Sequence, residues 1–97
     1  MIKVAIVGYG NIGKAAHEAI SASKDFSLQY IVDTTKIDVD VPVLNGVSEL
    51  NNVDVAILSL PSRVVPEVAS LLLSKGINTV DSYDMHSSIA DVRSKLD

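Results

Sequence analysis

The stretch Val4-Ala5-Ile6-Val7-Gly8-Tyr9-Gly10-Asn11-Ile12-Gly13 decides the fold of this chain. An apolar run ends in three glycines spaced G-x-G-x-x-G, and a helix-like pattern begins at once. That order, strand then glycine turn then helix, is the signature of a βαβ unit that binds a dinucleotide. Each glycine has its own task. Gly8 makes the tight turn, Gly10 lets backbone amides approach a pyrophosphate because no Cβ intervenes, and Gly13 lets the helix pack close to the strand. Backbone N–H groups at the helix N-terminus then face the ligand with about half a positive charge behind them. A glycine-rich turn can also serve a fold with no ligand, so the rest of the chain has to decide.

Upstream, Ile2 to Val7 is apolar on both parities except at Lys3, as a strand buried on both faces requires. Downstream, Ile12, Ala15, Ala16, Ala19 and Ile20 recur at helical spacing and are expected to form one apolar stripe, with Lys14, His17 and Glu18 in solvent. Leu28 to Val32 reads as the second strand, ending at Asp33. An acidic residue about 20 positions past the glycine motif can accept hydrogen bonds from an adenosine ribose diol. An aspartate there can equally just open a turn.

Thr34 to Asp40 is polar and carries no clear signal. Pro42 to Leu44 is a candidate short third strand, Asn45-Gly46 a turn, and Ser48 to Leu50 at most one helical turn. Val55 to Leu58 is a central strand opened by Asp54. It runs into Ser59-Leu60-Pro61-Ser62 and then a helix with Val65, Val68, Ala69 and Leu72 on its apolar side. Either Ser62 caps that helix or Pro66 starts it. Gly76 ends it, Ile77 to Val80 is a fifth strand, and Ser88 to Asp91 resembles the capping box of a last helix.

Strands alternating with helices imply right-handed crossovers and a parallel sheet. The expected class is therefore α/β, a Rossmann-like doubly wound sheet of strand order 3-2-1-4-5. Such a sheet leaves a crevice at the carboxyl ends of strands 1 and 4, lined by the Gly8–Gly13 turn and the Ser59–Ser62 loop.

The bulk properties narrow the function. At 97 residues the chain makes one domain, residues 1–97, and its 47% apolar and 21% charged residues suit a globular one. A net charge of −4 with no cluster of lysines and arginines argues against nucleic-acid and anionic-membrane partners. The lack of cysteine excludes disulfides, thiol catalysis and cysteine-held metal, and His86 has no partner at metal-ligand spacing, so no metal site is read. Met1 leads directly into a strand without a signal-peptide pattern, and no apolar run approaches the ~18 residues of a membrane span. The expected compartment is the cytoplasm.

Two stretches together carry a family resemblance. Val4 to Gly13 and Gly76-Ile77-Asn78-Thr79-Val80-Asp81-Ser82-Tyr83-Asp84-Met85-His86 resemble the N-terminal part of meso-diaminopimelate dehydrogenase, and Val53 to Ser62 fits the same family. The glycine motif is common to many dehydrogenases, whereas the Val80–His86 stretch is more specific and argues against aspartate dehydrogenase and dihydrodipicolinate reductase. The resemblance implies NADP-dependent oxidative deamination of meso-2,6-diaminopimelate to L-2-amino-6-oxopimelate, by a homodimer serving lysine and peptidoglycan-precursor metabolism. By position, the backbone at Gly10, Asn11 and Ile12 would hold the pyrophosphate. Ser59, Leu60, Pro61 and Ser62 would line the dinucleotide, Ser82 and Tyr83 would lie near the nicotinamide, and Asp84 would approach the D-centre amine as the catalytic residue.

Two departures are visible. NADP-binding members of the family often have arginines after the second strand, but here the run is Asp33-Thr34-Thr35-Lys36. A carboxylate repels a 2′-phosphate and suits a ribose diol, so Asp33 leans towards NAD, with Thr34 beside it among the expected cofactor-binding residues and Lys36 the nearby candidate for a phosphate. The chain also stops at Asp97, before the strand expected to complete the nucleotide half and before any substrate and dimerisation domain. A small amino-acid substrate would need that further domain. A stand-alone module that senses NAD(P) without chemistry is the reading from a different class.

Overall fold

In the computed structural model, which describes residues 1–61 and 63–81, six consecutive residues form the first strand, β1 (Ile2–Val7). Its four residues Val4 to Val7 are buried, so it needs apolar partners above and below the sheet. It is followed by helix α1 (Asn11–Ser21), β2 (Phe26–Val32), β3 (Val43–Leu44), a 3-10 turn (Val47–Glu49), β4 (Val55–Leu58), α2 (Val65–Ser74) and β5 (Asn78–Asp81). The five strands make one sheet, ordered β3-β2-β1-β4-β5, with every neighbouring pair parallel. This is the expected 3-2-1-4-5 order, reversing between β1 and β4.

The helices lie on opposite faces. Val4, Ile6, Phe26, Ile31, Val55, Ile57 and Val80 pack with Ala16 and Ile20 of α1. Ala5, Val7, Val32, Ala56 and Leu58 pack on the other face with Leu72 of α2 and with Leu50 and Ile77. Burying one side chain such as Ile6 stabilises the fold by about 1.5–3 kcal/mol, so the two layers together supply its main driving force.

β2 begins two residues earlier than the sequence pattern indicates. Ser27 and Gln29 disguise it, because both are polar and stand on the same side of the strand, where the Gln29 amide donates to the Ser27 hydroxyl at 2.7 Å. The register then slips: Val4 pairs with Leu28 but Ala5 with Tyr30, leaving Gln29 as a one-residue bulge. The bulge changes the parity, so Phe26, Leu28 and Ile31 all reach the α1 layer. Without it, Ile31 would point to the opposite face from Phe26.

The apolar stripe of α1 also differs from expectation. Gly13, Ala16 and Ile20 are buried, whereas Ile12 is 45% exposed and Ala15 is exposed. Close contact at Gly13 rotates the helix so that its 13–16–20 line meets the sheet. His17, expected in solvent, is half-buried and accepts or donates at Nδ1 in a 2.7 Å hydrogen bond with the Tyr9 hydroxyl. Helix α2 starts at Val65 without a side-chain cap and takes Pro66 as its second residue, one place later than the first position proline was expected to hold, while Ser62 lies outside the described residues. At its far end Gly76 has φ +80°, and the Lys75 ammonium donates to the carbonyls of Ser48 (2.6 Å) and Leu50 (2.7 Å), tying the 3-10 turn to α2. The last helix expected from Ser88 lies outside the described residues.

Candidate functional site

The site grows from the carboxyl end of β1. The ladder continues one step past the strand: the Gly8 N–H donates to the Val32 carbonyl and the Ser59 N–H to the Val7 carbonyl, each at 2.8 Å. The loops after β1, β2 and β4 therefore leave the sheet side by side. Gly8 has φ +89°, which L side chains rarely adopt, and a Cβ there would run into the Ser59 carbonyl oxygen and lie 3.1 Å from Leu60 Cδ2. A Cβ on Gly13 would run into the Gly8 carbonyl oxygen. The first and third glycines are thus required by the protein's own packing, with helix α1 held against the turn and the turn against the β4 loop.

Gly10 is different. Its backbone is extended at φ −82°, it is exposed, and a Cβ on it would meet nothing within 4 Å. No part of the described protein packs against that position, and the space beside it is open. Helix α1 supplies the donors. Its first intrahelical bond runs from the Lys14 N–H to the Gly10 carbonyl at 2.9 Å, which leaves the amides of Asn11, Ile12 and Gly13 without a helix carbonyl. No side chain caps this end and no acidic residue lies in the first turn. Such an end attracts an anion.

Asp33 sits immediately after β2 and is half-buried. Its Oδ2 accepts the Tyr9 N–H and its Oδ1 the Thr35 N–H, both at 2.8 Å. These backbone donors, Thr35 first and then Tyr9, hold its carboxyl below the usual carboxylate range. The two bonds fix the carboxylate against the glycine turn while each oxygen keeps lone-pair capacity for a hydroxyl. Because the folded pKa is depressed, this contribution to stability is fully present above the unfolded value of about 4 and is lost as pH falls through the folded value. The Tm advantage of the native chain over Asp33→Asn should therefore be present near neutrality and fade below about pH 4, as thermal melts across that range would show.

An open cleft of about 680 Å³ joins these parts. It is lined by Tyr9, Gly10 and Lys14 from the glycine turn and the start of α1, and by Asp33, Thr35, Lys36, Ile37, Asp38 and Val39 from the chain after β2. Of the residues singled out from sequence, Gly10, Asp33 and Lys36 meet in this cleft. Gly8 and Gly13 brace it, and Asn11 and Ile12 are exposed on the first turn beside it. Thr34 is exposed and does not line the cleft, and its neighbour Thr35 does. Ser59 and Leu60 lie against Gly8 on the β4 side and Pro61 is exposed, so none of these three lines this cleft. Ser62, Ser82, Tyr83 and Asp84 lie outside the described residues.

Sequence reasoning missed Tyr9, Lys14, Ile37, Asp38 and Val39. For the last three a signal was available, since Ile37, Val39, Val41 and Val43 alternate with exposed residues and all pack against the α1 layer. Tyr9 is held by His17, with ring centroids 5.8 Å apart. Among the described residues no group of three or more His, Cys, Asp or Glu could hold a metal ion, and no helix is long and apolar enough to cross a membrane. The arrangement can bind an anion at α1, accept hydrogen bonds from a diol at Asp33 and shelter a flat or ribose-sized group between them.

Comparison with known proteins places this geometry. Residues 1–82 match the CoA binding domain family. Over 98% of the chain there is 43% identity to meso-diaminopimelate D-dehydrogenase from Bacteroides fragilis, of whose length the chain spans 34%. The redox-sensing transcriptional repressor Rex from Staphylococcus aureus is 33% identical over 86% of the chain and 44% of the repressor. Among solved structures, the WlbA dehydrogenase from Bordetella pertussis in complex with NADH and UDP-GlcNAcA is similar, with a TM-score of 0.75 and 25% identity over 82% of this chain and 27% of that one.

Proposed function

The chain belongs to the CoA binding domain family, and from that premise we propose that it is the nucleotide-binding part of an NAD(P)-dependent dehydrogenase acting on meso-2,6-diaminopimelate. The observation that carries this reading is the 43% identity to the Bacteroides fragilis dehydrogenase across nearly the whole chain. The geometry supports the same nucleotide role, with two glycines demanded by packing and a third opening space at an uncapped helix end. Coenzyme A and the nicotinamide dinucleotides share an adenosine diphosphate, and the glycine turn and Asp33 suit that common half.

In this reading the amides of Asn11, Ile12 and Gly13 bind the pyrophosphate, and Asp33 receives the adenosine ribose. Ser59, Leu60, Pro61 and Ser62 flank the dinucleotide from β4, and Ser82 and Tyr83 stand near its reactive ring. A bound nicotinamide would supply the acceptor for the hydride leaving the D-centre carbon. Asp84 accepts a hydrogen bond from the amine at that centre and holds it in line for hydride loss. Water then replaces the imine nitrogen and ammonia leaves. The groups that grip the two substrate carboxylates belong to the rest of such an enzyme, which acts in the cytoplasm as a homodimer in lysine and peptidoglycan-precursor synthesis.

A second reading, a redox-sensing module without chemistry, is favoured by the match to Rex. Titrating the chain with NADH and NADPH, then adding meso-2,6-diaminopimelate with the separately expressed remainder of the Bacteroides dehydrogenase, separates the two. The dehydrogenase reading expects nucleotide binding, no diaminopimelate-dependent reduction of NADP by the chain alone, and turnover once the remainder is added. Binding without rescue favours the sensor, and turnover by the chain alone overturns the assignment of substrate grip to another domain.

A further inference from the structure

We propose that Asn45-Gly46, the link between β3 and the 3-10 turn, is a site of spontaneous modification, converting through a succinimide to aspartate and isoaspartate, and that the Glu49 carboxylate restrains it.

Of the five asparagines in the chain, only Asn45 precedes a glycine. In the reaction the Gly46 nitrogen bonds to Asn45 Cγ and the Cγ–Nδ2 bond breaks. The proton from the Gly46 N–H leaves with the side-chain nitrogen as ammonia. Water then opens the ring at either carbonyl, giving aspartate or isoaspartate. A side chain on the attacking residue crowds this step, and glycine has none. Asn45 is exposed, and among the described residues its side-chain amide makes no hydrogen bond that would hold it away.

The restraint comes from one oxygen. Glu49 Oε2 accepts both the Asn45 N–H and the Gly46 N–H, each at 3.0 Å. The attacking nitrogen has to give up its proton, and a carboxylate against it disfavours the anion that results. The backbone around Glu49 is itself fixed. Its N–H donates to the Gly46 carbonyl and the Leu50 N–H to the Val47 carbonyl, both at 3.1 Å, and Leu50 is fully buried. The Lys75 ammonium holds the Ser48 and Leu50 carbonyls from α2. Glu49 is therefore held where it can keep the Gly46 amide occupied.

Conversion puts a new carboxyl beside Glu49, and isoaspartate adds a methylene to the main chain just after Leu44. The strand before it, β3, is two residues long and lies at the edge of the sheet. Its Leu44 carbonyl accepts the Asp33 N–H at 3.0 Å. A residue of the candidate site thus hangs on the strand that this reaction disturbs.

Ageing the whole chain in neutral buffer tests this, with peptide mass mapping and enzymatic methylation of isoaspartate as readouts. In the chain unfolded by urea, Asn45 should convert first among the five asparagines. In the folded chain it should convert about tenfold more slowly, and Glu49→Ala, its fold checked by circular dichroism, should recover most of that factor. Glu49→Gln keeps a neutral acceptor and should fall between the two. Adding Gly46→Ala to Glu49→Ala should stop the reaction without disturbing the fold, since Gly46 is extended and a Cβ there meets only Ser48 Oγ, at 3.9 Å. In the converted protein the Asp33 amide should lose protection from hydrogen exchange, and unchanged protection overturns the coupling to that residue. Isoaspartate arising first at another asparagine in urea overturns the site. A folded Glu49→Ala chain that converts no faster than the native one overturns the restraint. Should Glu49→Ala unfold, Glu49→Gln decides, and a native rate there overturns the restraint equally.

Discussion

Replacing Gly8 by alanine should unfold or severely destabilise the chain. Two costs combine at that position. The backbone sits at φ +89°, where an L side chain is strained by about 1–3 kcal/mol. The new Cβ also falls on the Ser59 carbonyl oxygen, a backbone atom that cannot rotate aside. Relief requires moving the β4 loop, and with it the bond from the Ser59 N–H to the Val7 carbonyl at the centre of the sheet. A total loss of about 3 kcal/mol or more is expected, which in a domain of this size lowers Tm by more than about 10 °C. Thermal unfolding followed by circular dichroism measures it, and a shift of a degree or two would mean that the turn relaxes cheaply.

Replacing Gly10 by valine should do the opposite, abolishing nucleotide binding while lowering stability by only about 1 kcal/mol, the cost of an apolar residue at the N-cap of α1. The extended backbone at Gly10 suits any residue, and a Cβ there meets nothing within 4 Å. The branched side chain would fill the space beside the amides of Asn11, Ile12 and Gly13, which the proposed function assigns to the pyrophosphate. A loss of at least about 3 kcal/mol in binding, or more than a hundredfold, is expected when those charge-assisted bonds cannot form. Of three glycines in one short motif, two are therefore demanded by packing and the third is not.

How far the sequence discloses this depends on what each residue answers to. Val4 to Val7 and Val55 to Leu58 are legible because a central parallel strand must be apolar on both sides, and both were found in place. Together with the glycine spacing they suffice for the strand order. Phe26 and Ser27 were hidden because the bulge at Gln29 breaks the two-residue period on which strand reading rests. The same limit applies at the site. Asp33 is found by its distance from the glycines, a property of the chain alone. Lys14 and His17 depend on how α1 is turned about its axis, and that is set by the contact between Gly13 and the Gly8 carbonyl, which no local pattern announces. Thr35 rather than Thr34 enters the cleft for a similar reason, since the Asp33 carboxylate draws the Thr35 amide back and sets the direction of the loop.

The central claim is that the turn from Gly8 to Gly13 seats a pyrophosphate. Its most direct test is the amide spectrum of the 15N-labelled chain titrated with ADP-ribose, for the native protein and for Gly10→Val. In the native chain the resonances of Gly10, Asn11, Ile12 and Gly13 should shift most and saturate together with those of Asp33 and Thr35, while Gly10→Val keeps a native spectrum and shows no saturable shift. Equal shifts in the two proteins, or native shifts centred away from the turn, would contradict the claim.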